Sequence, residues 1–318
     1  MRKNLTKKLF LSILTLAFAV VSLGASTYAW FTLSGDAEVK KFEGQVTGGA
    51  GLEIQVLGSD DAINPDAWQT SVIESSLIEA VIGDVTLDAL TLKNNSITNG
   101  FVDHAGTDKN SGWIQFDLAF RLSNQEDVRK FDLYLDGYTL QTEGTYDDPA
   151  TTENENTGVD AWRVNRAYEG KTGSYALNET KTYWVSDAAR LGIVSKDKGS
   201  LADNVDPIYY QAATGSVEYT AGIPGKDNTD KNAAVNYYNA VNPTATIDVA
   251  DAPTYTAETS EGEKTAGYKV GQLTAAEEVR VTVYVWIEGW DGECINAIFE
   301  QVLHTTLSFY LNIDGATA

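Results

Sequence analysis

Apolar and polar residues alternate along several stretches of the chain, and this period of two predicts β-strands that bury one face. The pattern occurs at 113–122 and 131–136, and it is longest at 279–289. Another strand is predicted at 304–313, and the short connector before it places it next to the 279–289 strand in one sheet. Turns rich in Gly, Asn and Asp separate these stretches. The pattern therefore favours an all-β fold, an antiparallel β-sandwich of the jelly-roll or immunoglobulin-like kind with long decorated loops.

Two local patterns add detail to this prediction. Residues 43–47 and 52–57 flank a Gly-Gly-Ala-Gly stretch at 48–51, which predicts a hairpin. Apolar residues within 71–81 recur near helical spacing behind a Ser-x-x-Glu capping box, so we expect one or two short helices.

The middle of the chain is more polar than its ends. We interpret 30–318 as a single β-sandwich domain with a polar insertion around 142–267. Within that insertion, 222–264 is rich in Asn, Asp, Thr, Ala and Pro, and it is expected to form a long, mobile excursion.

The N-terminus has the pattern of an export signal. A basic segment at 1–8 precedes an uncharged apolar stretch at 9–24, and Thr27 and Ala29 supply the small residues that signal peptidase requires before Trp30. Residues 1–29 are therefore predicted to be a signal peptide. Because the uncharged stretch continues to Phe31, an uncleaved N-terminal membrane anchor is the alternative.

The junction Ser26-Thr27-Tyr28-Ala29-Trp30-Phe31-Thr32 resembles that of the TasA/camelysin group of Gram-positive bacteria, whose precursors are cut by a SipW-type signal peptidase. The family's acid after the junction is displaced here to Asp36. The resemblance implies a β-sandwich that forms extracellular filaments, each subunit accepting an N-terminal strand from its neighbour. The corresponding donor segment is 30–46, with Val39, Phe42 and Val46 as the inserting apolar residues.

Charge restricts the partners of the chain. It has 23 Lys and Arg against 45 Asp and Glu, a formal net charge of −22. Such a chain repels phosphate backbones and anionic lipids, which excludes nucleic acid as a partner and limits membrane contact to the N-terminal segment. The expected partners are signal peptidase and further copies of the chain.

Few residues could support catalysis. The chain has two histidines, His104 and His304, and one cysteine, Cys294, and no H-E-x-x-H motif is present. Acidic neighbours of Cys294 disfavour a reactive thiolate. Although camelysin-type relatives carry a peptidase label, we predict no catalytic residue, and a secreted metallopeptidase is only the third hypothesis.

Two oxygen-rich loops are candidate calcium sites, since calcium prefers carboxylate and amide oxygens. Neither has EF-hand spacing, and no other cofactor is predicted. Their residues are Asp103, Asp108 and Asn110 in one loop, and Glu288, Asp291 and Glu293 in the other.

Two tryptophans flank the end of the longest strand. We predict that Trp286 and Trp290 anchor this strand end in the core; the alternative makes Trp290 an exposed platform for a sugar or a partner.

These observations predict a non-enzymatic exported structural protein, a subunit of an extracellular matrix or surface fibre that assembles through its N-terminal strand. The alternative is a membrane-anchored cell-surface module that binds a glycan or a protein.

Overall fold

The alternating stretches of the sequence form strands in the computed structural model of the protein. The structure describes residues 42–48, 51–58, 62–70, 72–73, 75–83, 85–124, 126–127, 129–142, 161–164, 166–170, 173–182, 184–196, 208–211, 231–251, 268–275, 277–296, 298 and 303–313.

Strands dominate these residues, and the protein is all-β in class, as predicted. In chain order the strands are β1 (Phe42–Gly48), β2 (Leu52–Leu57), β3 (Val72–Ile73), β4 (Ala89–Leu92), β5 (Phe101–Val102), β6 (Asp108–Lys109), β7 (Ile114–Leu122), β8 (Phe131–Thr142), β9 (Ala161–Arg163), β10 (Tyr168–Gly170), β11 (Gly173–Tyr175), β12 (Thr180–Thr182), β13 (Ala189–Ser195), β14 (Ile208–Gln211), β15 (Tyr268–Leu273), β16 (Val279–Glu288) and β17 (Leu303–Ile313). The α-helices are α1 (Ser75–Ile82), α2 (Val185–Ala188) and α3 (Lys231–Val241). Helix α1 confirms that the segment 71–81 contains a helix, but Val72 and Ile73, which were predicted to lie on it, form β3. The predicted capping residues Ser71 and Glu74 lie outside the described residues.

The described strands form two main sheets and two small two-stranded sheets. The smaller main sheet has the order β15-β8-β17-β1-β3. In the larger one, β16 is central: β13 and then β14 lie on one side, while β7 and β4 pair with successive parts of its other side. Strand β2 pairs with β7, and β4 continues to β5 and β6. The two-stranded sheets are β10–β11 and, on either side of it in the sequence, β9–β12.

The sheets are mixed, which corrects the prediction of a wholly antiparallel fold. Strand β1 runs parallel to β17, and β4 runs parallel to the end of β16. In both pairs the partners are far apart in the sequence, so no tight turn joins them and the antiparallel direction is not imposed.

Two predicted neighbour relations are wrong. Strands β1 and β2 do not form a hairpin, because β1 pairs with β17 and β3 whereas β2 pairs with β7. Strands β16 and β17 likewise belong to different sheets. In both cases the chain crosses from one sheet to the other, and alternation cannot predict this because it gives the buried face of a strand but not its partner.

One hydrophobic core receives side chains from both main sheets. The rings of Phe120 on β7 and Phe309 on β17 lie 4.6 Å apart within it. Val285 and Ile287 of β16 also point into this core, so Trp286 between them faces the opposite side of the sheet. There it packs in a second, smaller core with Leu90, Leu92, Ile97, Phe101 and Tyr209.

A helix lies inside the segment that was predicted to be a mobile excursion. Helix α3 occupies part of 222–264, and its residues Ala234 and Val235 pack with Trp290 in a third cluster. Alanine, valine and tyrosine at helical spacing give α3 one apolar face, which the high Asn content of the segment conceals in the sequence.

Candidate functional site

Strand β1 contains part of the predicted donor segment. It lies between β17 and β3 in the smaller main sheet. Seven residue pairs join it to β17, with Phe42 opposite Leu303 and Val46 opposite Leu307. On its other side, the pairing with β3 within the described residues comprises Val46 and Thr47. Backbone pairing with β17 is therefore the main described contact of β1.

Strand β17 has a complete partner on its other side. It pairs antiparallel with β8 from Leu303, opposite Thr142, to Ile313, opposite Phe131, with one irregularity after Ser308. Leu303, Leu307 and Phe309 are buried on one of its faces. Because β8 and the core hold β17 in place, the backbone edge of β17 that faces β1 is already formed and can pair with one more strand. We call this edge of β17 the lane of β1.

The link from β1 to the rest of the body is rich in glycine. Strand β1 ends at Gly48, and β2 begins at Leu52 in the other main sheet. Gly51 has φ +85°, a conformation that other residues rarely adopt. Glycine at this position therefore lets the chain turn sharply between the two sheets.

The remaining residues of the predicted N-terminal sites lie outside the described residues. These are Thr27, Ala29 and Trp30 of the cleavage junction and Val39 of the donor segment.

The turn after β16 holds a buried ion pair. Arg190 of β13 donates from Nη2 to Oδ2 of Asp291 over 2.6 Å, and both side chains are fully buried. A second guanidinium nitrogen, Nη1, donates to the backbone carbonyl of Ala189 at 3.1 Å. The pair ties the end of β16 to β13, and both partners gain hydrogen bonds that offset part of their desolvation.

Glu288 lies in the same turn and is also fully buried. One carboxyl oxygen accepts from Trp286 Nε1 at 3.3 Å, and the other accepts from the backbone N–H of Trp290 at 3.1 Å. Desolvation raises the pKa of Glu288 to about 7, while the nearby Arg190 opposes this rise.

The carboxylates of the first candidate calcium loop have protein partners. Asp103 accepts from the backbone N–H groups of Ala105 and Thr107, each at 2.9 Å, and lies 3.5 Å from Lys109 Nζ. Asp108 forms an ion pair with Lys93 at 2.7 Å.

The second candidate loop is engaged in a similar way. Asp291 binds Arg190, and Glu288 binds the two tryptophan N–H groups. Asp291 also accepts from the backbone N–H of Glu293 at 2.9 Å. Across the part of the chain that the structure describes, no three His, Cys, Asp or Glu side chains lie together as a metal site. The calcium prediction gains no support from these contacts, and we identify no metal ligand in either loop.

His104 and Cys294 both lie beside the turn after β16, whereas His304 lies on β17. His104 stacks on Tyr238 of α3 with ring centroids 5.1 Å apart and meets Trp290 edge-on at 4.7 Å. Desolvation lowers its pKa, although a hydrogen bond to Gly289 and the charge of Asp103 oppose this. His304 is buried on β17. Burial raises the pKa of the Cys294 thiol, and Asp291 and Glu288 add to the rise, so the thiolate is disfavoured.

Trp286 and Trp290 are both fully buried, which confirms the prediction that they anchor the strand end. Arg190, by contrast, was not predicted as part of this site. One sequence feature could have predicted it: Arg190 is the single charge in the apolar run Ala-Ala-Arg-Leu-Gly-Ile-Val. An arginine in such a run is buried only when it has a partner of opposite charge.

Comparison with known proteins adds no relative: no family model, curated protein or solved structure matches the chain. Among the helices in the described ranges, none combines the length and the apolar composition needed to span a membrane.

Proposed function

We propose that the chain is a non-enzymatic exported structural protein whose subunits assemble into an extracellular fibre by exchanging β1. The position of β1 carries this proposal. It pairs mainly with β17, at the other end of the sequence, and a glycine-rich link joins it to the rest of the fold. A second copy could supply the same strand to the same lane with the same hydrogen bonds.

In this proposal the body is a β-sandwich that can be closed either by its own β1 or by that of a neighbour. Because both arrangements form the same backbone pairs, the free energy difference between them is small, and the length of the link and the local protein concentration decide which forms. The register predicts that the incoming Phe42 and Val46 stand opposite Leu303 and Leu307.

Deletion of the donor segment tests the assembly. Protein produced from the full chain should form filaments that are visible by electron microscopy, and deletion of 30–46 should abolish them. Filaments that persist without 30–46 would contradict the proposal.

A disulfide trap tests the exchange itself. In a Cys294→Ala background, Gln45→Cys and Thr306→Cys introduce a thiol pair at facing register positions of β1 and β17. Oxidation of filaments should link different subunits and give a ladder on a non-reducing gel, whereas a self-closed monomer gives an internal bridge.

The matched control places cysteines at Glu53 and Arg121, which face each other on β2 and β7 of one chain. This bridge should be internal in both states. Filaments whose 45–306 bridges are all internal would show that β1 is not exchanged.

The alternative function, a membrane-anchored glycan- or protein-binding module, is favoured by one surface feature. Tyr134 of β8 and Tyr310 of β17 stack 5.3 Å apart and are half-buried. Beside them, Asp132 is held by Lys269 Nζ and Gln272 Nε2, both at 2.9 Å. Aromatic rings next to fixed polar groups suit a sugar. N-terminal sequencing of the native protein separates the two functions: Trp30 at the terminus favours release, and Met1 retained favours the anchor.

A further inference from the structure

The turn after β16 contains more buried negative than positive groups. Arg190, Asp291 and Glu288 are all fully buried. If both carboxyl groups were ionised, the trio would carry a net negative charge in a place from which water is excluded. Such a charge is costly, and the cost falls when one carboxyl group binds a proton.

The hydrogen bonds indicate which carboxyl group this is. Asp291 contacts the guanidinium of Arg190 directly at 2.6 Å, so Arg190 is its immediate cationic partner. Glu288 receives only neutral donors in the described contacts, at 3.1 Å and 3.3 Å. A charged Glu288 would therefore be buried without a direct hydrogen bond from a cation in these contacts.

The surrounding titratable groups do not provide a second cation. From the turn itself, Cys294 and Glu293 add no positive charge. From the loop after β5 come Asp103 and His104, and desolvation lowers the pKa of His104, which favours the neutral ring. From α3, Tyr238 stacks on His104. From α2, the Asp187 backbone carbonyl accepts from Arg190 at 3.3 Å.

We infer that Glu288 is a buried proton-binding site whose occupancy controls how firmly the turn after β16 and helix α3 are packed. When the proton is bound, the trio is neutral overall and the turn stays dry. When the proton leaves, the new negative charge favours entry of water beside Trp290, on which α3 packs. The inference does not depend on strand exchange.

The direction of the pH effect follows from linkage. Desolvation raises the pKa of Glu288 to about 7 in the folded chain, against an ordinary value of 4.5. Between these pH values the folded state binds more protons than the unfolded state, so stability rises as the pH falls from 7 towards 4.5 and is lost as the pH rises through 7.

The substitution Glu288→Gln tests this inference, because glutamine keeps the shape of the protonated acid but cannot titrate. Urea unfolding of protein produced from the full chain should be measured from pH 4.5 to pH 8.5, with Trp fluorescence as the probe. Over the pH range in which Glu288 titrates, the folding equilibrium constant of the native chain should fall as the pH rises. This fall should exceed that of the variant by up to about tenfold per pH unit. Glu293→Gln, in the same turn but half-buried, is the matched control and should keep the native pH profile.

A direct measurement covers the case in which the variant does not fold. Infrared difference spectra of the native chain between pH 6 and pH 8.5 should show the carbonyl band of a buried protonated carboxylic acid that disappears at the higher pH. The indole N–H resonance of Trp286 should shift with the same midpoint, since it donates to Glu288. Absence of this band and an unchanged Trp286 resonance, or identical pH profiles for the native chain and Glu288→Gln, would overturn the inference.

Discussion

The lane of β1 and the turn after β16 are held together in different ways. Strand β1 is joined to β17 by backbone pairing along seven residues, an interaction that any copy of the same strand can form. The turn is joined to β13 by a buried ion pair between particular side chains, and each partner needs the other. We expect the first region to tolerate exchange of its strand and the second to tolerate almost no change, because backbone pairing is generic whereas an unpaired buried charge is severely penalised.

The largest predicted effect concerns the buried ion pair. Arg190→Met should lower the free energy of unfolding by about 3–5 kcal/mol, because Asp291 is then buried without its cation. Urea denaturation at pH 7 measures this change. The double variant Arg190→Met/Asp291→Leu should recover most of the loss, because no unpaired charge remains. If Arg190→Met alone lowers the free energy of unfolding by less than about 1 kcal/mol, water reaches the turn and screens Asp291.

The next effect concerns the lane of β1. Leu307 is buried on β17, opposite Val46, and Leu307→Ala should cost about 2–5 kcal/mol through the cavity that it leaves. Leu307→Met, which keeps the side-chain volume, is the control and should cost less than about 1.5 kcal/mol. If filaments form by strand exchange, Leu307→Ala should also weaken them, which sedimentation of assembled protein would measure.

A further effect depends on pH and has the opposite sign to that of Glu288. The lowered pKa of His104 means that the folded chain binds a proton less readily than the unfolded chain, whose histidine titrates near 6.5. The stability that neutral His104 contributes is present above that pH and is lost as the pH falls below it. His104→Phe keeps the ring between Tyr238 and Trp290, so urea midpoints of this variant should fall less steeply on the acid side. If the urea midpoints of His104→Phe fall at acid pH as steeply as those of the native chain, His104 is not the source of this pH dependence.

The smallest predicted effect is that of an exposed ion pair. Lys196 and Asp117 lie 2.8 Å apart with side chains 36% and 14% exposed. Lys196→Ala should cost less than about 1 kcal/mol, because solvent screens the pair. Comparison with Arg190→Met in the same urea assay then gives the effect of burial on an ion pair within one protein. If Lys196→Ala and Arg190→Met lower the free energy of unfolding equally, burial does not make the Arg190–Asp291 pair more important for stability than the exposed pair.

The sequence predicts the strands of this fold better than their partners. The sequence pattern predicts β7, β16 and β17 and the first half of β8, at 131–136, and each of these strands places apolar side chains in the core. The second half of β8, up to Thr142, was not predicted. The pairing of these strands does not follow from the pattern, because a face pattern is compatible with either sheet. The hairpin across 48–51 and the adjacency of the last two long strands were wrong for this reason.

The candidate site was predicted only in part. The segment from Trp286 to Cys294 stands out in the sequence, and burial of both tryptophans was expected. The role of its acids was not, because the sequence does not show that Arg190, in a distant strand, meets Asp291. The carboxylates that were interpreted as candidate oxygen ligands for an ion have protein partners in the structure: arginine, lysine, and backbone and indole N–H groups. Such long-range pairing of single charges leaves no periodic signal.

The parallel pairing of β1 with β17 also has a consequence for the order of folding. The ribosome makes β1 before every other described strand and β17 after all of them. A chain that emerges with its N-terminus first, from the ribosome or after export, therefore presents β1 before its own β17 is available to pair with it. The first strand thus stays without β17 until the last strand has emerged, and the time between the two events determines how long β1 is open to pairing with another copy.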